Sequence, residues 1–114
     1  MTDMQFNTIL KDALSIEDRD AFISDWALSS MWDDSPEDDI PQQRIDEIGQ
    51  IWDVAHISFA DILAASGRTL PNFALHYAIP YRTAQNWKNG VRACPLYLRL
   101  LLARAELGLR YYDE

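Results

Sequence analysis

Apolar residues along this chain recur at three- and four-residue intervals far more often than they alternate, which reads as helix rather than strand. The pattern divides into five or six helices, with no convincing strand. A short first helix is predicted around Phe6 to Leu14. Ser15 with Asp18 three residues on resembles a capping box with Asp in place of Glu. The helix it would open runs to about Trp32, with Phe22, Ile23, Trp26 and Ala27 as its apolar stripe. The charged, proline-containing run DDSPEDDI at 33–40 reads as an exposed connection. Pro41 suits a first helical residue, and Ile45, Ile48, Ile51, Trp52 and Ala55 then follow at helical spacing.

The second half is punctuated more sharply. Ser58 is the expected cap of a helix with Asp61 at its third position, and Gly67 is its expected left-handed end. Thr69 caps the next, with Pro71 in its first turn and Phe73, Ala74 and Tyr77 on one side. Pro80 biases Ile79 away from helical geometry, so that helix should stop near Ala78 and another start at once. Gly90 closes it. Pro95 opens the last helix, whose stripe is read as Leu98, Leu101, Leu102 and Ala105, with Gly108 at its end. The expected fold class is all-α, a helical bundle.

The short helix in IPYRTAQNWKNG, residues 79–90, has two unlike faces. On a wheel of about 100° per residue with Tyr81 at zero, Gln85, Asn89, Arg82 and Asn86 follow within about 140°. Thr83, Trp87, Pro80 and Ala84 occupy the other side, with Trp87 as the expected core anchor. One face therefore gathers planar hydrogen-bonding groups of the kind that match base edges, Arg to guanine and Asn or Gln to adenine. The preceding helix would supply the other member of a helix-turn-helix.

Charge sharpens this picture. The 114 residues carry a net charge of −8, which by itself argues against a nucleic-acid partner. Residues 1–56, however, hold fourteen carboxylates and three basic side chains, whereas residues 57–114 hold four and seven. From Arg68 to Arg104 there are six basic residues and no acidic one. Such asymmetry points to separate jobs for the two halves.

The stretch SFADILAASGRTLPNFALHYAIPYRTAQNWKNGVRACP resembles a Cro/repressor-type (XRE-type) helix-turn-helix domain. The resemblance is carried by Gly67, Phe73-Ala74, the Ile79-Pro80 turn, Thr83, Trp87 and Asn89-Gly90. It covers roughly residues 57–107. Similar sequences with an acidic N-terminal half occur as small proteins of bacterial mobile elements. The resemblance implies a lambda-repressor-like helix-turn-helix in a domain at 57–114, with residues 1–56 as an acidic helical extension. It implies that Tyr81, Arg82 and Asn86 face the bases, and Gln85 shares their face. Thr69, Thr83 and Arg92 fall at backbone-contacting positions, and Lys88 joins them as a phosphate candidate. Two positions depart from the family pattern. Leu70 stands where a phosphate-contacting Gln is common, and Ala78 stands where the turn usually has Gly. An alanine there argues against a left-handed residue in the turn.

The remaining chemistry is sparse. Cys94 is the only cysteine, so there is no disulfide framework, and a reducing cytoplasm fits. His56 and His76 lie far apart with no ligand partner at helical spacing, and the acidic loop lacks the Gly and spacing of a calcium site. No apolar run is long enough for a membrane span. Neither cofactor, metal nor enzymatic activity is expected. The leading expectation is sequence-specific binding to double-stranded DNA by a homodimeric transcriptional regulator. In that reading the acidic half is a brace or an interaction element whose Trp26, Trp32 and Trp52 pack inward. The rival is a protein-binding module, an antitoxin or a DNA-mimic inhibitor, acting through the acidic half.

Overall fold

The computed structural model describes residues 1–29, 32 and 40–108. The protein is all-α. Among the described residues there are seven helices and no strand. They fall into two units, one of Met1–His56 and one beginning at Ile57.

The first unit holds α1 (Asp3–Ala13), α2 (Arg19–Ala27) and α3 (Gln42–His56), with both α1 and α2 packed on α3. Its core is Phe6, Ile9 and Leu10 from α1, Phe22 and Ala27 from α2, and Ile48, Ile51, Val54 and Ala55 from α3. Thr2 and Gln5 form a reciprocal capping box that starts α1 three residues earlier than its apolar pattern suggests. The cap of α2 is Asp18, not Ser15. The Asp18 carboxylate accepts the amide of Ala21, while the Ser15 hydroxyl donates back to the Asp12 carbonyl at the end of α1.

Helix α2 also ends before the expected Trp32. The carbonyl of Trp26 accepts both the Ser29 amide and the Trp32 indole N–H, so its last-turn acceptor is satisfied outside the helix. The tryptophans of this unit are half-buried rather than packed fully inward. Each keeps its indole N–H bonded, Trp26 to the Asp12 carboxylate and Trp52 to the Ile16 carbonyl. Arg19 clamps Asp53 through two hydrogen bonds of 2.9 and 3.1 Å, joining α2 to α3. Gly49 makes room for that clamp, since a Cβ there would lie 2.6 Å from the Arg19 guanidinium. The expected acidic connection falls almost wholly on residues 33–39, outside the described residues.

The second unit holds α4 (Phe59–Ser66), α5 (Leu70–His76), α6 (Tyr81–Lys88) and α7 (Leu96–Leu107). Ser58 and Asp61 form the expected capping box on α4, and Gly67 ends it with a φ of 69°. Thr69 caps α5. Helix α4 packs against each of the other three. The core comprises Phe59, Ile62, Leu63, Leu70, Phe73, Ala74, Ala84, Leu102 and Ala103. Phe59 sits at its centre, edge-on to both Phe73 (5.5 Å) and Trp87 (5.4 Å).

The stripe expected on α7 is rotated. Leu102 and Ala103 are buried, Leu98 is half-buried, and Leu101 and Ala105 face solvent. The sequence LYLRLLLARAEL is apolar on nearly every side, so periodicity alone does not choose its inner face. Arg99 lies on the core side because its guanidinium donates to the Ile57 carbonyl at 2.7 Å.

Candidate nucleic-acid interface

Helices α5 and α6 are joined by residues 77–80, and the backbone there departs from expectation. Ala78 takes a φ of 54°, inside the left-handed region. The reason lies in how α5 ends. The Ile79 amide donates to the Ala74 carbonyl and the Ala78 amide to the Leu75 carbonyl, the paired bonds that require a left-handed residue between them. Pro80 follows and prevents the helix from continuing. A left-handed alanine costs about 1 kcal/mol or more. Those two backbone bonds and the half-buried side chains of Tyr77 and Ile79 on either side hold it there.

Tyr77 is a feature that sequence reasoning missed. It caps α5, and its hydroxyl donates to the Glu106 carboxylate on α7. Burial first, and then that bond, push the phenol from its ordinary 10.0 up to about 12. The partners are 29 residues apart, and no local pattern connects them.

Helix α6 is held on one side only. Ala84 is fully buried, and Trp87 is half-buried against Phe59, a shallower anchor than expected. Ala84 instead sets how closely α6 approaches the core. The end of α6 repeats the motif that ends α5, now with Gly90 at a φ of 75°. The Val91 and Arg92 amides both donate to the Asn86 carbonyl, at 2.9 and 3.4 Å. This bond pair places Arg92 beside the last turn of α6.

The predicted base-facing residues divide into two groups. Tyr81, Arg82 and Gln85 are exposed, with Tyr81 49% accessible, whereas Asn86 is half-buried. Of the predicted phosphate-facing residues, Thr69, Lys88 and Arg92 are exposed and Thr83 is half-buried. The Thr69 hydroxyl oxygen already accepts the Asn72 amide at 3.4 Å, so its structural role is the cap of α5. Among the described residues, Arg82, Lys88 and Arg92 form no salt bridge, in contrast to Arg19 in the first unit. Three cations thus flank a row of planar groups without an internal counter-ion.

A cavity of about 310 Å³ lies beside the base of α6, lined by Phe59, Trp87, Arg92, Cys94 and Arg99 among others. Burial pushes the Cys94 thiol up, away from the reactive thiolate. A larger groove of about 580 Å³ lies in the first unit, where Arg19, Ile23, Leu28, Ile45 and Asp46 mix apolar and charged walls. Among the described residues no three His, Cys, Asp or Glu side chains gather as a metal site, and no helix is long and apolar enough to cross a membrane. Comparison of the chain with protein-family models, with curated proteins and with solved structures gives no match.

Proposed function

We propose that this chain is a sequence-specific DNA-binding protein, a small transcriptional regulator of a bacterial mobile element or phage. The observation that carries the reading is α6: one helix side seated on Ala84 and Trp87, the other presenting Tyr81, Arg82 and Gln85 to solvent. A helix with side chains is about 10–12 Å across, which fits the roughly 12 Å major groove. The connection of α5 to α6 through residues 77–80 has the length of a helix-turn-helix turn. Arg82 is suited to the paired acceptors of guanine and Gln85 to the edge of adenine. Asn86, half-buried at the edge of that face, would contribute less than the three exposed side chains. Lys88 and Arg92 would hold phosphates, with Thr69 and Thr83 at the edges of the contact.

One short helix reads only a few base pairs. Two copies on half-sites about one helical turn apart supply the rest, so the working species is a homodimer in the cytoplasm. The net charge of −8 weakens non-specific attraction and places more of the selectivity on base contacts. The test is selection of binding sites from random duplex DNA by the full-length protein, followed by titration of the selected site at several salt concentrations. Enrichment of a paired motif with salt-dependent affinity is expected. No enrichment, or affinity independent of salt, would sink the reading.

A second reading rests on the first unit. Residues 1–56 combine a large excess of carboxylates with their own buried core. That unit would engage a basic protein partner as an antitoxin or DNA mimic does, leaving α6 to regulate its own expression.

A further inference from the structure

Helices α5 and α6 pack on each other and on α4, and α7 also packs on α4. A side-chain bond links the α5–α6 pair to α7 directly: the Tyr77 hydroxyl donates to Oε1 of Glu106. Tyr77 is the C-cap of α5 and stands immediately before the left-handed Ala78, where the chain turns towards α6. Its ring is held on the α5 side as well, tilted against the buried Phe73 with centroids 4.8 Å apart and edge-on to His76 at 4.7 Å. Glu106 is poorly placed for its own helix. It lies in the last turn of α7, where unpaired carbonyls disfavour a carboxylate. The other described carboxylate of this unit, Asp61, serves a capping box at a helix N-terminus, where negative charge is favoured. What Glu106 gains therefore comes from its partner 29 residues away.

We infer that Tyr77 and Glu106 are positioning residues for α6: their bond pins the α5–α6 turn to the end of α7 and so sets the direction in which α6 leaves that turn. Both side chains are half-buried, and neither lies on the outer face of α6. The seat of α6 is narrow, Ala84 with part of Trp87, and its first turn has no side-chain cap. The turn that precedes it therefore carries much of its placement. Without the bond, α5 and α6 stay on α4, but the turn and the first residues of α6, Tyr81 and Arg82 among them, move together. A side chain reads a base only from a fixed orientation, whereas a phosphate contact tolerates more play. The consequence for base reading rests on the proposed function; the tie between the turn and α7 does not, and it is measured without DNA.

The experiment measures residual dipolar couplings of backbone amides in the full-length protein by NMR, for wild type, Tyr77→Phe, Glu106→Ala and Glu106→Gln. The couplings of α4 give the frame, and those of α6 report its orientation within that frame. Tyr77→Phe and Glu106→Ala should both move the α6 couplings off the wild-type orientation by more than the measurement error, and in the same way. Glu106→Gln keeps an acceptor oxygen at the same place and should restore the wild-type orientation. A merely structural role would lower the melting temperature and leave the couplings of the folded state unchanged. Affinity for the selected duplex should fall about two- to tenfold in the first two variants, the range for one lost hydrogen bond, with a smaller change on a scrambled duplex. Wild-type α6 couplings in Tyr77→Phe would overturn the assignment, as would a Glu106→Gln variant that behaves like Glu106→Ala. Unfolding of both Tyr77→Phe and Glu106→Ala would make the pair a clamp of the whole unit and overturn it equally. A reoriented α6 with unchanged preference for the selected duplex would refute its bearing on base reading. If the wild type prefers no duplex, the proposed function fails, and the couplings still decide the tie.

Discussion

Helices α6 and α7 begin alike and turn opposite kinds of surface outward. Each follows a proline at its N-cap position, and neither has a side-chain cap. On α6 the buried side is narrow, essentially Ala84 with part of Trp87, and the outer side is polar and cationic. On α7 both sides are apolar, and the outer one carries Tyr97 and Leu101. A helix with polar groups on one side advertises a hydrogen-bonding ligand. A helix with surplus apolar surface advertises another apolar surface. The contrast teaches that one small unit turns two chemically unlike faces outward, one polar and cationic and the other apolar.

The sharpest way to break the contrast is to remove the seat of α6. Trp87→Ala should destabilise the protein by about 2–3 kcal/mol, below the range for fully buried aromatics because Trp87 is only half-buried. Thermal or urea unfolding measures this. An unchanged melt would mean that Trp87 belongs to the outer face, and that the two-sided description of α6 is wrong.

The outer face is tested next, by separating Arg82 from Lys88. Arg82→Ala should cost about 1–3 kcal/mol on the selected site and much less on a scrambled duplex. Lys88→Ala should weaken both duplexes alike and lower the salt slope by about one unit. Equal losses on both duplexes for Arg82→Ala would assign that side chain to the phosphate backbone and move base reading to Tyr81 and Gln85.

The turns that end α5 and α6 give a finer comparison, since one motif carries Ala78 and the other Gly90. Ala78→Gly relieves about 1–2 kcal/mol of left-handed strain and returns roughly half of it as extra freedom of the unfolded chain. A net stabilisation of about 0.5–1 kcal/mol is expected from denaturant midpoints. Destabilisation would show that the turn does not hold Ala78 at positive φ in solution.

The smallest effect is at alkaline pH. The folded Tyr77 phenol titrates near 12 rather than 10.0, so its contribution is complete below about pH 10 and lost as pH rises through about 12. Tyr77→Phe should therefore show a shallower loss of stability across that window than wild type. Identical alkaline profiles would mean that Tyr77 is neither buried nor bonded to Glu106 in solution as it is here.

Much of this structure was legible in the residues because it depends on local chemistry. The Ser58 box, the Thr69 cap, the breaks at Gly67, Pro80 and Gly90, and the two-sided pattern of α6 all involve groups within a few positions of one another. The errors arose where local signals compete. Ser15 and Asp18 are both good caps, and only Asp18 has an open amide to accept, because Ser15 is drawn back to the end of α1.

The sequence by itself determined the all-helical class, the breaks that bound α4, α5 and α6 and the division of charge, because caps, prolines and helical periodicity act through neighbours along the chain. Only the tertiary structure decided which side of α7 lies inward, that Ala78 is left-handed, and that Tyr77 reaches Glu106. Those outcomes rest on contacts between residues distant in sequence. An all-apolar helix, an alanine in a turn and a tyrosine at a helix end each allow more than one local solution, and packing against the rest of the unit selects among them.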